Sequence, residues 1–242
     1  MSKHFTILVD TCNQKDWVAK SLDSALNQDY DNFEVIVMDA LSDDGTWEKL
    51  ETYKRDNLKI FRNEVRKYQI ENIYELTRLS RKGTICVSLD GDDWLPDMYV
   101  LSRLNEIYND DVWMTYGTYV EYPFRDVSHI YCPYPSDVIE RNTFREYRWL
   151  ASHLRTYRRE LFLKIKVEDF KIGEKWLDTA GDQAFQLPML EMASERSRHI
   201  PDIMLVYNMA NTSRDGYFNE ARQIELSNYI RSKPKYKRIE RL

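Results

Sequence analysis

The sequence has few cysteines, no surplus of basic residues and no long apolar run. Its 242 residues include 3 cysteines, too few and too scattered for a disulfide framework or a CxxC metal site, which favours a reducing compartment. No apolar segment approaches the roughly 18 residues of a membrane span. The N-terminus has no signal-peptide pattern. We therefore expect a cytoplasmic protein without a membrane span.

Acidic residues slightly outnumber basic ones. Lys and Arg number 35 against 40 Asp and Glu, a net charge of -5. This balance argues against bulk electrostatic binding, so no nucleic-acid partner is expected. Hydrophobic residues make up 43% of the chain, enough for a sizeable core. Aromatic residues make up 13%, which is common in carbohydrate-handling proteins and also in well-packed cores.

Strands and helices alternate in the first half of the sequence. The predicted strands are 5–9, 33–38, 59–61 and 84–89, and the predicted helices are 16–27, 46–55, 71–82 and 96–108. This alternation predicts an α/β fold with a parallel sheet and helices on both faces. Ligands bind at the carboxyl ends of such strands. Polar loops at 11–13, 39–44 and 90–93 follow three of them, which predicts one shared edge.

The second half is less regular. Its predicted elements are a strand at 112–120, a loop at 121–141, a helix opened by a capping box at 143–146, an amphipathic segment at 158–165, a helix at 182–193 and a strand at 203–207. The tail from Ser227 is basic and shows no apolar face. We find no repeat or low-complexity linker, so one domain over 1–242, with halves at 1–110 and 111–242, is expected.

The strongest local signal is Asp90-Gly-Asp-Asp93, which directly follows a buried strand. Carboxylates packed this closely repel one another unless a cation neutralises them, and hard oxygen ligands suit Mg²⁺ or Mn²⁺. A solvated Asp-Gly turn is the alternative. A calcium EF-hand loop is excluded, because Leu95 and Leu101 occupy positions that need glycine and an acid. A phosphohydrolase with Asp90 as nucleophile and Asp92 as acid stays open, although no Thr or Ser follows closely.

Four motifs follow one another along the first half: Ile7-Leu-Val-Asp-Thr-Cys-Asn13, the segment from Ser21 to Asp39, Ser42-Asp-Asp-Gly-Thr46 and Leu89-Asp-Gly-Asp-Asp93. In this order they resemble family 2 glycosyltransferases of the GT-A fold. The resemblance covers roughly residues 5–100, and the distal half is only loosely similar. It implies a GT-A fold, with a nucleotide-sugar-binding half at 1–110 and a mixed sheet completed by an acceptor-side half at 111–242. It also implies a UDP-sugar donor, a divalent metal (Mn²⁺ or Mg²⁺) and an inverting transfer.

The resemblance also implies residue roles. Asp92 would be the main metal ligand. The donor-binding residues would be Thr11, Asn13, Asp39, Gln69, Asn72, Asp90, Gly91 and Asp93, with Arg66 as a further candidate. The chain departs from the family at Asp39-Ala-Leu-Ser42, where Leu41 replaces a glycine, so the base-side pocket is expected to be reshaped.

Two residues of the second half have side chains suited to the donor. His153 could contact the metal or the diphosphate, and Arg155 could bind phosphate with two parallel hydrogen bonds. A lone histidine is more often structural.

An inverting transfer needs a base that takes the proton of the acceptor hydroxyl. The family places a carboxylate at a helix start beyond the Asp-x-Asp loop. Asp182 fits this position best, and Asp178 is the reserve. A helix N-cap is the other interpretation of Asp182.

The function predicted from these residues is metal-dependent, inverting transfer of a hexose or N-acetylhexosamine from a UDP-sugar to a hydroxyl of a glycan or other acceptor. Two alternatives stay open: a metal-dependent phosphohydrolase or nucleotidyltransferase, and a degenerate nucleotide- or glycan-binding module, which the altered loop at Ala40-Leu41 favours. Some aromatic residues could form an acceptor platform or simply pack: Trp94, Tyr131, Tyr134, Trp149 and Trp176.

Overall fold

The structure is a computed structural model that describes residues 2–108, 111–127, 131–211 and 219–242. In these ranges the strands are β1 (Phe5–Thr11), β2 (Phe33–Asp39), β3 (Leu58–Arg62), β4 (Ile85–Asp90), β5 (Met114–Tyr122), β6 (Ser152–Arg158), β7 (Lys171–Ile172), β8 (Lys175–Trp176) and β9 (Ser197–Asn208). The helices are α1 (Val18–Leu26), α2 (Thr46–Leu50), α3 (Gln69–Leu79), α4 (Val100–Ile107), α5 (Ser136–Arg141), α6 (Arg159–Phe162), α7 (Gly181–Ala193) and α8 (Glu220–Ser232).

Seven strands form one mixed sheet in the order β3-β2-β1-β4-β6-β5-β9. Strands β1 to β4 are parallel. Strand β6 runs antiparallel to both β4 and β5, and β9 is again parallel to β5. This arrangement confirms the predicted α/β class and the mixed sheet.

Apolar side chains of the central strands point alternately to the two faces of the sheet. Ile7 and Val9 of β1 join a core cluster with α1 and α4, whereas Leu8 joins a second cluster with α3 and α7. A strand covered on both faces is apolar at successive positions, which explains the unbroken run in β1.

The register of the parallel strands brings three polar strand ends together. Thr11 pairs with Asp39, and Asp10 pairs with Asp90. The loops after β1, β2 and β4 therefore leave the sheet at one edge, as the sequence pattern predicts. This edge carries the candidate site.

The second half departs from several predictions. Strand β6 was not expected, and α5 lies inside the predicted loop. The capping box at 143–146 opens only a single turn, in which the amides of Glu146 and Tyr147 both donate to the Thr143 carbonyl. The Arg145 side chain of this turn points inward to a buried partner, Glu191.

The prediction that the C-terminal tail has no apolar face is also wrong. Its first residues belong to α8, which buries Leu226 and Ile230. Beyond the helix, Tyr236 and Ile239 pack against the same core cluster. The charged residues between these positions concealed the apolar stripe. Among the described residues, no helix is both long enough and apolar enough to cross a membrane.

Candidate active site

A cleft of about 740 Å³ opens at the carboxyl ends of β1 and β4. The starts of α3, α7 and α8 close its other side. Ten of the donor, metal and base candidates singled out from the sequence line this cleft: Thr11, Arg66, Gln69, Asp90, Gly91, Asp92, His153, Arg155, Asp178 and Asp182. The fold therefore brings strand-end carboxylates of the first half next to charged residues of the second.

Asp90 lies at the centre of this cleft. Gln69 Nε2 donates to its Oδ1 at 2.9 Å, and Arg155 Nη1 lies 4.0 Å from its Oδ2. Arg155 Nη2 lies 3.7 Å from Asp182 Oδ2, so one guanidinium bridges the two carboxylates. The pKa of Asp90 is raised to about 6: burial is the largest cause, Arg155 lowers the pKa, and Asp92 and Asp182 raise it.

Two glycines allow the close approach of the elements that carry these carboxylates. A Cβ added to Gly91 would lie 2.5 Å from Cβ of Thr11, so the loop after β4 can lie against β1 only with glycine there. A Cβ added to Gly181 would lie 3.0 Å from Cβ of Ile70. That contact sets the start of α7 against the start of α3, and so places Asp182 and Gln69 on the same cleft.

His153 and Asp93 form the buried back of the site. Arg155 Nη2 donates to His153 Nε2 at 2.6 Å, which leaves the proton of the neutral ring on Nδ1. Burial, aided by Arg155, holds the pKa of His153 well below its usual range. Asp93 Oδ1 accepts the backbone amide of Asn208 at 2.9 Å, and burial raises the pKa of Asp93 well above its usual range.

Four buried polar atoms around this site have no hydrogen-bond partner among the described residues: Thr11 Oγ1, Asp93 Oδ2, His153 Nδ1 and Arg155 Nε. Buried polar atoms are rarely left unpaired in a folded protein. Their concentration at one edge of the sheet indicates that a polar ligand completes the site.

The residues present fit a divalent cation. Side chains of Asp90, Asp93 and His153 offer three ligand atoms within 4.8 Å of one another, and Asp92 lies in the same loop. Asp90, Asp92, Asp93 and Asp182 bring four carboxylates to this site, and Arg155 is the cation that lies among them. Because His153 Nε2 is bound to Arg155, the carboxylates are the ligands that remain, and such oxygen ligands suit Mg²⁺ or Mn²⁺.

Four predicted donor residues do not line the cleft: Asp93 is buried behind it, and Asn13, Asp39 and Asn72 lie beside it. Asn13 Nδ2 donates to Asp43 at 2.9 Å, and the Asn13 amide donates to Ser42 Oγ at 2.8 Å, so the loops after β1 and β2 are joined. Asp39 is buried, accepts from the amide and hydroxyl of Ser42 and lies 3.3 Å from Arg62 Nε.

Asn72 is fully buried and, like Asn13 and Asp39, joins segments beside the cleft. Its Nδ2 donates to Asp10 Oδ1 at 2.7 Å, and its Oδ1 accepts from Asn63 at 2.7 Å. These bonds tie α3 to the end of β1. Asn72 therefore supports the cleft wall from behind.

Leu41, which stands where the family has glycine, keeps the backbone conformation that favours glycine. Its φ is 64°, in the left-handed region. Arg66, which lines the cleft, donates from Nη2 to the Leu41 carbonyl at 3.4 Å. A half-buried leucine side chain thus occupies this left-handed position of the loop.

Asp178, the reserve candidate for the base, also lines the cleft but has a different partner. Both its oxygens lie 3.3 Å from Arg222 Nε of α8. Asp182 instead faces Arg155 and Asp90. The structure thus gives different partners to the first and the reserve candidate for the base.

Of the five aromatic residues predicted for an acceptor platform, Tyr131 and Trp149 line the cleft. Trp94, Tyr134 and Trp176 are packed elsewhere, against Trp17, Phe144 and Phe170 respectively. Two tyrosines that the sequence analysis missed, Tyr119 and Tyr207, line the cleft beside His153. Both belong to strands whose apolar pattern indicated core positions only.

Comparisons with known proteins agree with this geometry. A sequence model of the family described as Glycosyl transferase family 2 matches residues 6–166. WfaP of Escherichia coli, a UDP-Glc:alpha-D-GlcNAc-diphosphoundecaprenol beta-1,3-glucosyltransferase, is 25% identical over 114 residues. That match spans 47% of this chain and 45% of WfaP, so the chain matches less than half the length of this relative.

Two solved structures share the fold. S. aureus TarS 1–349 in complex with UDP-GlcNAc gives a TM-score of 0.73 at 18% identity, over 94% of this chain and 65% of that chain. The mannosyltransferase PcManGT from Pyrobaculum calidifontis, in complex with GDP-Man and Mn²⁺, gives 0.62 at 18% identity, over 98% and 66%. These likenesses confirm the GT-A fold that the motifs implied.

Proposed function

The chain belongs to glycosyltransferase family 2, and we propose that it transfers a hexose or N-acetylhexosamine from a UDP-sugar to a hydroxyl of a glycan acceptor, with inversion and a divalent metal. One observation carries this proposal. The Asp90–Asp93 loop and Asp182 face one cleft, and Arg155 bridges Asp90 and Asp182 within it. The cleft thus offers a cation site and a candidate base side by side.

The donor would lie along the carboxyl ends of β1 and β4. Thr11 Oγ1, which has no hydrogen-bond partner among the described residues, could accept one from the nucleoside. Asn13, Asp39 and Asn72 would shape the pocket through the loops that they join. UDP is the proposed nucleotide, supported by the UDP-GlcNAc bound in the TarS structure and by the UDP-Glc in the name of WfaP.

A divalent cation, when bound, would neutralise the charge that develops on the diphosphate leaving group. Asp92 would be its main ligand, and Asp90 would lie towards the ribose. Arg155 could add a second positive charge, since its guanidinium lies between Asp90 and Asp182 and can form two parallel hydrogen bonds with phosphate. His153 and Asp93 would hold Arg155 and the loop in place from the buried side.

Asp182 is the proposed base. It lies in the first turn of α7 and its side chain is about a quarter exposed, so an acceptor hydroxyl can reach it. In the free protein its carboxylate faces Arg155. A diphosphate that attracts this guanidinium would release Asp182 to take the proton of the acceptor hydroxyl.

A ligand panel tests the proposal. Thermal unfolding is measured with UDP, GDP, CMP, UDP-Glc and UDP-GlcNAc, each with Mn²⁺, Mg²⁺ or EDTA. A ligand at 100 times its dissociation constant stabilises the native state by about 2.7 kcal/mol. At roughly 2–4 °C per kcal/mol for a chain of this size, that corresponds to a rise in Tm of roughly 5–11 °C.

A rise with UDP and Mn²⁺ that EDTA removes is the expected result, and the best UDP-sugar would then direct the search for the acceptor. If no nucleotide shifts Tm but a phosphate analogue with Mg²⁺ does, the result would instead indicate a phosphohydrolase. Binding of UDP-sugar without any release of UDP, in the presence of varied glycans, would indicate a binding module.

A further inference from the structure

A buried side-chain amide from the second half contacts the Asp90–Asp93 loop. Asn211 Nδ2 lies 2.7 Å from Asp92 Oδ2 and 2.7 Å from Gln14 Oε1. Asn211 is 5% exposed and Gln14 is 8% exposed. Neither residue was singled out in the sequence, and they are 197 positions apart. Three segments thus meet at one amide group: the loop after β1, the loop after β4 and the segment just beyond β9.

The orientation of this amide follows from its partners. A primary amide nitrogen carries two hydrogens, and each can serve one of these two oxygen acceptors. Turning the amide over would bring Asn211 Oδ1 against the oxygens of Gln14 and Asp92, which repel it. Asn211 is therefore a donor to Asp92, and its bond to a carboxylate belongs to the stronger, charge-assisted class.

Gln14 is itself fixed from the other side. Its backbone amide donates to Thr46 Oγ1 at 2.8 Å, and that hydroxyl donates to Asp44 Oδ1 at 2.6 Å. Thr46 is fully buried. A continuous chain of contacts thus runs from the loop after β2, through Gln14 and Asn211, to the carboxylate of Asp92.

We propose that Asn211 and Gln14 are positioning residues that hold the Asp92 carboxylate in the orientation that binds the divalent metal. The inference rests on the proposed function, because it assigns Asp92 to the metal. Asn211 holds one carboxylate oxygen and thereby directs the group, and Gln14 holds Asn211. Gln14 also lines the cleft, and neither residue is proposed as a ligand of the metal. Groups of this kind behind a metal ligand change metal affinity by about 10- to 100-fold when they are removed.

The experiment compares the native protein with Asn211→Leu and Gln14→Leu, which keep side-chain size but remove the donor or the acceptor. Mn²⁺ binding is measured by the electron paramagnetic resonance signal of free Mn²⁺. UDP binding is measured by calorimetry with Mn²⁺ and again with EDTA. We expect N211L to weaken Mn²⁺ binding about 10- to 100-fold and Q14L to weaken it less, while UDP affinity in EDTA stays at the native value.

The chain offers a matched control. Gln28 is also 8% exposed, and its amide donates to the carbonyls of Ser24 and Asp97, away from the cleft. Gln28→Leu removes a similarly buried amide and is expected to leave Mn²⁺ affinity unchanged. The double variant Q14L/N211L is expected to bind Mn²⁺ no more weakly than N211L, because Gln14 acts through Asn211.

The results separate this inference from the proposed function. Native Mn²⁺ affinity in both N211L and Q14L would overturn the inference alone. An equal loss in N211L and Q28L would overturn it too, because the effect would then be general destabilisation. If the native protein itself shows no Mn²⁺-dependent binding of UDP, the proposed function fails and the inference fails with it.

Discussion

The two halves of the sheet build the candidate site in different ways. In the first half, β1, β2 and β4 pair in regular parallel register, and the carboxylates lie at the site because their strands end there. In the second half, the pairings of β5 with β6 and β9 contain register shifts. There, side chains reach the site from a strand interior, a helix start and a loop: Arg155, Asp182 and Asn211. Backbone register places the start of the Asp90–Asp93 loop, and individual polar contacts place the groups around it.

A buried ion pair holds the second half together. Arg145 donates to both carboxylate oxygens of Glu191 and to the carbonyl of Ile230, and Glu191 accepts the amide of Tyr236. Arg145 and Glu191 are almost completely buried. This contact anchors α8 and the segment beyond it to α7, the helix that carries Asp182. The first half is held together by its apolar strands, whereas the second half also depends on this buried polar contact.

If the second half supplies the chemistry, removing its candidate base should have the largest effect. Asp182→Asn is expected to lower kcat for transfer about 10²- to 10⁴-fold, because the amide cannot take the acceptor proton. UDP affinity with Mn²⁺, measured by calorimetry, should stay near the native value. Asp178→Asn is the control, since Asp178 faces Arg222 instead of Arg155. Loss of activity in D178N with an active D182N would reassign the base.

Breaking the buried ion pair should affect stability most. Glu191→Gln leaves the Arg145 guanidinium buried without a counter-charge, and the free energy of unfolding is expected to fall by about 3–5 kcal/mol. Urea unfolding measures this change. The exposed pair of Arg238 and Glu195 is the control, because Glu195→Gln should cost at most about 1 kcal/mol. Equal losses of unfolding free energy in E191Q and E195Q would show that burial does not determine how much an ion pair stabilises this protein.

Backbone fit in the first half is tested at Gly91. Gly91→Ala would place a Cβ 2.5 Å from that of Thr11 and 3.0 Å from the Asp10 carbonyl, so β1 and the loop must move apart. We expect a loss of about 1–3 kcal/mol in the free energy of unfolding, as for other overpacked sites. Thr11→Gly removes the clashing atoms, so the double variant should lose less than the sum of the single changes. Additive losses would argue against this contact.

The same difference explains what the sequence predicts and what it does not. Strands of the first half are continuous apolar runs that stop at polar loops, so Asp39 and Asp90 could be assigned to one edge of the sheet from the pattern alone. The helices and strands of the second half have a weaker sequence pattern. Strand β6 carries His153 and Arg155 at buried positions where a periodic pattern has apolar residues. Long-range pairs such as Gln14 with Asn211 leave no local signal at all.

One contact joins the two halves outside the cleft and tests whether they depend on each other. Lys20 Nζ of α1 lies 3.4 Å from the centroid of the Trp94 ring, just after the Asp90–Asp93 loop, and 4.7 Å from that of Tyr122 at the end of β5. Burial lowers the pKa of Lys20. Lysine over aromatic rings at a surface contributes about 0.5–1 kcal/mol. We expect Lys20→Met to lower the free energy of unfolding by about that amount, and Lys20→Arg to retain most of it.

Urea unfolding followed by tryptophan fluorescence measures the effect of Lys20 and reports on Trp94 at the same time. Lys82→Met, at an exposed lysine beyond α3, is the control and should stay within about 0.5 kcal/mol of the native protein. A loss confined to K20M would mean that a cation holds α1 to β5 across the boundary between the halves. Native stability in K20M would mean that the cation–π contact adds no stability and that the other contacts between the halves, such as the pairing of β4 with β6, are sufficient.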